Sequence, residues 1–280
     1  VGGWATKSIS RLTDSVYLPA GLMLIGAAFF ALSIVIVLIL DRRAVRSEHS
    51  RLGTGDGTAS AVREPIGGQF WGGLTTVMKS PYLLGIAAYI VLMAISNTLV
   101  YFTQAGVILE NTDTFSQRVG SFALFDFLAQ FATLLTQIFV TTRLIKRLGV
   151  GGTLMVMPVV TVIGFGILAV WPLYGVMAIF AALHRASRYA VSRPARETLF
   201  SVVPAEAKYK AKPLIDVFLY RGGDVAGVAL ESGLKAAGLS IGGLAAATVP
   251  LAGVWGILCV VLGRAQKRRE PGADGGSGES

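Results

Sequence analysis

The sequence has few charged residues, almost no histidine and a single cysteine. Charged residues make up 15% of the 280 residues, against about a quarter in soluble domains, and 53% are hydrophobic. Cys259 stands alone, which excludes an intrachain disulfide and a thiolate metal cluster. His49 and His184 are too far apart in sequence to indicate a histidine metal site. The hydrophobic residues are therefore the main feature of the sequence.

Motifs of common enzyme classes are also missing. The chain has no phosphate-binding loop ending in Gly-Lys-Ser/Thr and no paired zinc histidines. We therefore expect no enzymatic activity and no cofactor, and an intramembrane enzyme is the least favoured hypothesis.

The hydrophobic residues are gathered into seven long runs. Each run is long enough to cross the bilayer core, which takes roughly 20 residues as a helix. The pattern predicts an all-α polytopic membrane protein with seven transmembrane helices. The runs are 17–40, 82–109, 119–142, 151–170, 173–192, 214–234 and 241–262.

Basic residues alternate in density between these runs. The formal net charge of +9 could indicate nucleic-acid binding, but Lys and Arg concentrate in connections 41–80, 143–147 and 193–212 and in the tail 264–269. The intervening connections have none at 110–116, 171–172 and 236–240. The positive-inside rule then places every second connection, and the carboxy terminus, in the cytoplasm. Membrane lipid is the expected partner, and nucleic acid is not.

The first basic connection, 41–80, separates one run from the following six. Apolar residues within 66–78 recur near helical spacing, which predicts a short helix on the membrane surface. The Gly- and Ser-rich residues 271–280 predict a disordered end.

Polar residues also occur inside the runs, where a polar group must face water, a partner or a ligand. Helical spacing places several of them on common faces, which predicts either an aqueous cavity or pairs that hold the bundle together. The candidates are Tyr101 and Gln104 in the second run, Asp126 and Gln130 in the third, Arg185, Arg188 and Arg196 in the fifth, and Asp216, Arg221 and Asp224 in the sixth.

Three segments carry a family resemblance. SRPARE (192–197), KYKAK (208–212) and YRGGD (220–224) resemble the bacterial branch of the ATP/ADP translocase, or nucleotide exchange transporter, family. One run, a long basic connection and six further runs are similar to the last helix of one half and the whole second half of a major-facilitator-type carrier.

The resemblance implies a domain organisation. Residues 1–40 would be the last transmembrane helix of the amino-terminal half, and 41–80 a cytoplasmic linker with an interfacial helix. Residues 81–263 would form the six-helix transport domain, and 264–280 a disordered cytoplasmic tail. The protein would lie in a bacterial inner membrane and would need the missing amino-terminal half as a partner.

The resemblance also implies antiport of a nucleotide such as ATP or ADP, or of an organic phosphate, by alternating access. Arg185, Arg188, Arg196 and Lys212 are then candidates for contact with the anionic substrate, because guanidinium and ammonium groups suit phosphate.

Two alternatives stay open. A proton-coupled exporter of another small solute would use Asp126 as a buried carboxylate. A non-transporting membrane interaction module would use none of these residues for transport.

Overall fold

The computed structural model describes residues 18–52 and 70–269, which form two compact units. Helix accounts for 91% of these described residues, and no strand occurs among them. The first unit contains α1 (Leu18–Leu52). The second contains α2 (Phe70–Lys79), α3 (Pro81–Glu110), α4 (Phe115–Phe139), α5 (Thr141–Val170), α6 (Tyr174–Ala186), π1 (Ser187–Ser192), α7 (Arg193–Leu199), α8 (Ala205–Pro213), π2 (Leu214–Leu219), α9 (Tyr220–Ala236) and α10 (Ile241–Lys267).

In the described part of the chain, 5 helical segments are long and apolar enough to cross a membrane. This confirms an all-helical chain with several apolar helices, as expected of an integral membrane protein. The segments are Met23–Leu40, Pro81–Glu110, Phe115–Phe139, Lys146–Val170 and Ile241–Lys267.

The other two predicted runs, 173–192 and 214–234, are helical but interrupted. In the first, α6 has 13 residues before the π-helical turn π1 begins, and in the second, π2 precedes the 17 residues of α9. Each regular helix is therefore shorter than the roughly 20 residues of a crossing. The count of seven crossings stays a prediction.

Several element ends differ from the predicted boundaries. α1 continues beyond residue 40 to Leu52, and α10 continues to Lys267, inside the predicted tail. The remainder of the predicted linker, 53–69, and the end of the tail, 270–280, lie outside the described residues.

The predicted surface helix is α2, and it packs against protein. Val77 is buried in one core cluster with Ala211 of α8. A Cβ on Gly73 would lie 2.6 Å from the carbonyl oxygen of Lys210, so the backbones of α2 and α8 approach closely. Met78 remains 63% exposed.

Helix α3 is the central element of the second unit. Ile86, Tyr89 and Ile90 are fully buried, and the Tyr89 ring lies 5.5 Å from that of Trp255 on α10. On its other side α3 packs against α9 at two glycines. A Cβ on Gly223 would lie 2.7 Å from the Ala94 Cβ, so this crossing requires small residues.

The starts of α3 and α4 are capped by side chains. Ser80 accepts a hydrogen bond from the Leu83 amide at 3.4 Å, and Pro81 begins α3. Thr114 and Gln117 form a reciprocal capping box at the start of α4. These caps fix the residues at which α3 and α4 begin.

Candidate functional site

Two adjoining cavities lie in the second unit. The first, of about 380 Å³, is bounded by α3, α4, α6 and π1, and we call it the amide cavity because Asn97, Gln104 and Gln130 line it. The second, of about 340 Å³, is bounded by α3, π1, α7, π2 and α9. We call it the arginine cavity, and its arginines are Arg188, Arg193, Arg196 and Arg221.

Arg188 lines both cavities. Its Nη1 donates a hydrogen bond of 2.6 Å to the Asn97 side-chain oxygen, and its Nη2 donates to the Tyr220 hydroxyl. The guanidinium carbon also lies 5.0 Å from the centre of the Tyr189 ring. No carboxylate of the described residues lies within ion-pair distance of it. The hydrogen-bond partners of Arg188 are thus neutral groups.

Arg185 and Asp126 form a direct ion pair beside the amide cavity. The Arg185 Nη1 lies 2.5 Å from the Asp126 carboxylate, which joins α6 to α4. Both side chains are partly exposed, at 31% and 51%. The Asp126 carboxylate bonds to Arg185 and does not itself line either cavity.

Arg196 and Asp216 face each other in the arginine cavity. Their closest charged atoms are 3.6 Å apart, which is an ion-pair distance but too long for a hydrogen bond. Nε of Arg196 and Oδ1 of Asp216 are buried, and neither makes a hydrogen bond with the described residues. The two groups balance charge but leave hydrogen-bonding capacity unused.

Lys212 lies outside both cavities. Its Nζ donates a hydrogen bond of 2.6 Å to the Glu197 carboxylate, which connects α8 to α7. This hydrogen bond is the main cause that lowers the pKa of Glu197 below its ordinary value, and the nearby charges of Lys212, Arg196 and Lys208 lower it further. Lys212 is therefore occupied by a protein carboxylate.

Asp224 has two partners at the edge of the site. It accepts a hydrogen bond of 3.3 Å from the Thr98 hydroxyl and one of 3.2 Å from Arg221, whose side chain is 79% exposed. Asp224, like Asp126, is thus bonded to a neighbouring arginine.

The structure brings most of the predicted site residues together. Asp126 and Asp224 bond to lining arginines without lining a cavity themselves, and Lys212 stands apart. The predicted residues that line one or both cavities are Tyr101, Gln104, Gln130, Arg185, Arg188, Arg196, Asp216 and Arg221.

Sequence reasoning missed His184, Tyr189 and Arg193 as lining residues. A regular helix would continue the Arg185 and Arg188 stripe through Ser192, but π1 widens the turn and rotates the residues that follow it. Ser192 consequently points into the core, where its hydroxyl lies 2.5 Å from that of Tyr89, and Arg193 faces the cavity. Helical spacing alone carried no signal of this shift.

Comparisons with protein-family models, with curated proteins and with solved structures find no match for this chain.

Proposed function

We propose that this chain is the substrate-binding half of a membrane antiporter that exchanges a nucleotide or another organic phosphate by alternating access. The observation that carries the proposal is Arg188, a guanidinium with neutral partners only, at the boundary of two polar cavities. A phosphate would supply the directly paired anion that Arg188 does not have among the described residues.

The charge of the arginine cavity supports an anionic substrate. Its lining includes four arginines, and Asp216 is the one carboxylate among the described lining residues. Guanidinium groups bind phosphate oxygens in a bidentate geometry, and several of them can contact a chain of phosphates. The amide cavity, which continues from Arg188, offers neutral donors and acceptors to the uncharged part of such a molecule.

The depth of the site supports transport across a bilayer. Asn97 lies near the middle of α3, and Arg188 of π1 bonds to it. Substrate sites of carriers lie close to the bilayer midplane, often where a helix is interrupted, as it is at π1. We propose on this ground that the two interrupted stretches also cross the membrane, which gives the seven crossings of a major-facilitator-type half bundle plus one helix.

The open face of the site supports a second helical half as partner. Tyr101 is 55% exposed at the rim of the amide cavity, and the ion pair of Asp126 and Arg185 is also partly exposed. Such groups cannot face hydrocarbon without a large cost in free energy. A second half, which we propose as the amino-terminal half of an ATP/ADP translocase-like carrier, would enclose them around water and substrate.

The exchange proposal is tested with the complete gene product in proteoliposomes. Vesicles preloaded with ADP should take up radiolabelled ATP, or another labelled organic phosphate from a panel, faster than empty vesicles. Absence of exchange for every phosphorylated solute, with protein that is folded and oriented in the vesicles, would reject the proposal.

The alternating basic connections support an orientation with the carboxy terminus in the cytoplasm of a bacterial inner membrane. Single cysteines introduced in a Cys259→Ala background test it. Asp113→Cys should react with an impermeant maleimide from outside, and Arg147→Cys only after the membrane is opened. Labelling of both from the same side would reject the orientation.

A further inference from the structure

Arg196 and Asp216 form an ion pair whose hydrogen bonds are incomplete. The 3.6 Å separation contrasts with the 2.5 Å of the Arg185 and Asp126 pair. Both members are largely buried, with side-chain exposures of 14% and 25%. A buried charged group without hydrogen bonds is costly, so the unused donor on Arg196 indicates a site that a ligand completes.

The backbone around both residues is fixed by the core. Ala195 and Leu199 of α7 are buried, and so are Leu214 and Ile215 of π2. The side chains of Arg196 and Asp216 nevertheless line the arginine cavity. A change in their separation therefore requires only rotation of side chains, while the packed helices stay in place.

Asp216 would compete with an anionic ligand for the positive charges of the arginine cavity. Arg188, Arg193 and Arg221 line this cavity together with Arg196, so several positive groups face the one carboxylate of Asp216. A phosphate has more acceptor oxygens than the carboxylate and can approach the guanidinium to hydrogen-bond distance.

We propose that Asp216 is the resident counter-ion of Arg196, which it neutralises in the empty carrier and yields to a phosphate group of the substrate. This inference rests on the proposed function, since it assigns a role within the same site. When substrate leaves, the carboxylate returns to the guanidinium and takes over the charge compensation. Asp216 thereby weakens binding and speeds release, which an exchanger requires.

The test measures equilibrium binding of radiolabelled ATP and of inorganic pyrophosphate to the purified complete gene product. Asp216→Asn should lower the Kd by about tenfold, because one competing charge at ion-pair distance is removed. It should also slow dissociation. Glu206→Gln is the matched control, since it removes one negative charge on α8, outside both cavities, and should leave the Kd unchanged.

Two further variants keep the test decisive. Asp216→Ser should reproduce the tighter binding if the asparagine variant does not fold. Arg196→Gln should weaken binding more in the Asp216→Asn background than in the wild-type background.

If wild-type protein binds these ligands and removal of the Asp216 charge weakens binding or leaves it unchanged, the counter-ion proposal is overturned while the proposed function stands. If wild-type protein binds neither ATP, nor pyrophosphate, nor any other phosphorylated solute of the exchange panel, both are overturned.

Discussion

The guanidinium of Arg188 donates a hydrogen bond of 2.6 Å to the side-chain oxygen of Asn97, and this contact joins π1 to the middle of α3. A second hydrogen bond, to the Tyr220 hydroxyl, joins the same guanidinium to α9. One arginine thus connects three elements and faces both cavities. The first prediction follows from that position.

Arg188→Gln should raise the KM for the transported phosphate by roughly tenfold or more, since a hydrogen bond to a charged group is worth about 1.5–3 kcal/mol. Arg188→Lys should recover only part of the affinity, because an ammonium group cannot reproduce the planar, forked donors of a guanidinium. The measurement is initial-rate exchange in proteoliposomes. Arg264→Gln, an exposed arginine in the last turn of α10, is the control and should behave as wild type.

The close crossing of α3 and α9 gives a prediction about stability. Gly223→Val should lower the Tm of the purified protein, because even the first side-chain carbon would lie 2.7 Å from the Ala94 Cβ and 2.9 Å from the Val91 carbonyl oxygen. Overpacking of this kind costs about 1–3 kcal/mol. The neighbouring Gly222 has no atom within 4 Å of such a carbon, so Gly222→Val is the matched control. Equal effects of the two variants on thermal denaturation would contradict the close packing.

The stability that the contact between α7 and α8 contributes should depend on pH through Glu197. Its pKa in the folded protein is lowered, chiefly by the hydrogen bond from Lys212, so its contribution to stability is present above the ordinary Glu pKa and is lost as pH falls through the lowered value. Because both side chains are partly exposed, at 33% and 46%, solvent screening limits this contribution to about 1 kcal/mol or less.

The measurement is the difference in Tm between wild type and Glu197→Gln as the pH is lowered from neutral into the acid range. The difference should be present near neutral pH and vanish at acid pH. Glu206, whose pKa is lowered by the hydrogen bond from Lys210, is fully exposed, and Glu206→Gln should change the Tm little at any pH. If the difference in Tm between wild type and Glu197→Gln grew as the pH was lowered, this mechanism would be contradicted.

The ion pair of Asp126 and Arg185 separates the antiport proposal from the proton-coupled alternative. Asp126→Asn and Arg185→Gln should each destabilise the protein. The double variant should be destabilised by less than the sum of the two single effects, because both single variants remove the same interaction. In proteoliposomes, exchange should be independent of a proton gradient in wild type and in Asp126→Asn alike. Gradient-driven transport that disappears in Asp126→Asn would favour the exporter.

The helical and apolar character of the chain could be predicted because the cost of placing a residue in hydrocarbon is local and adds up along a run. The five candidate crossings all overlap predicted runs. The four-residue spacing of Gly223 and Gly227 places two small residues on one helix face, which favours close helix packing, and both contact α3. Boundaries were less predictable, since α1 passes through the charged residues after position 40 without a break.

What the sequence by itself determined is therefore the set of apolar helices and the group of polar residues that lie at depth within them. Only the tertiary structure decided which of these residues meet. The partners of Asp126 and Lys212 come from other helices, and the packing of those helices sets the distances. The turn π1 brought Arg193 to the cavity in place of Ser192, because a widened turn changes the direction of every side chain after it, and no spacing rule for a regular helix contains that change.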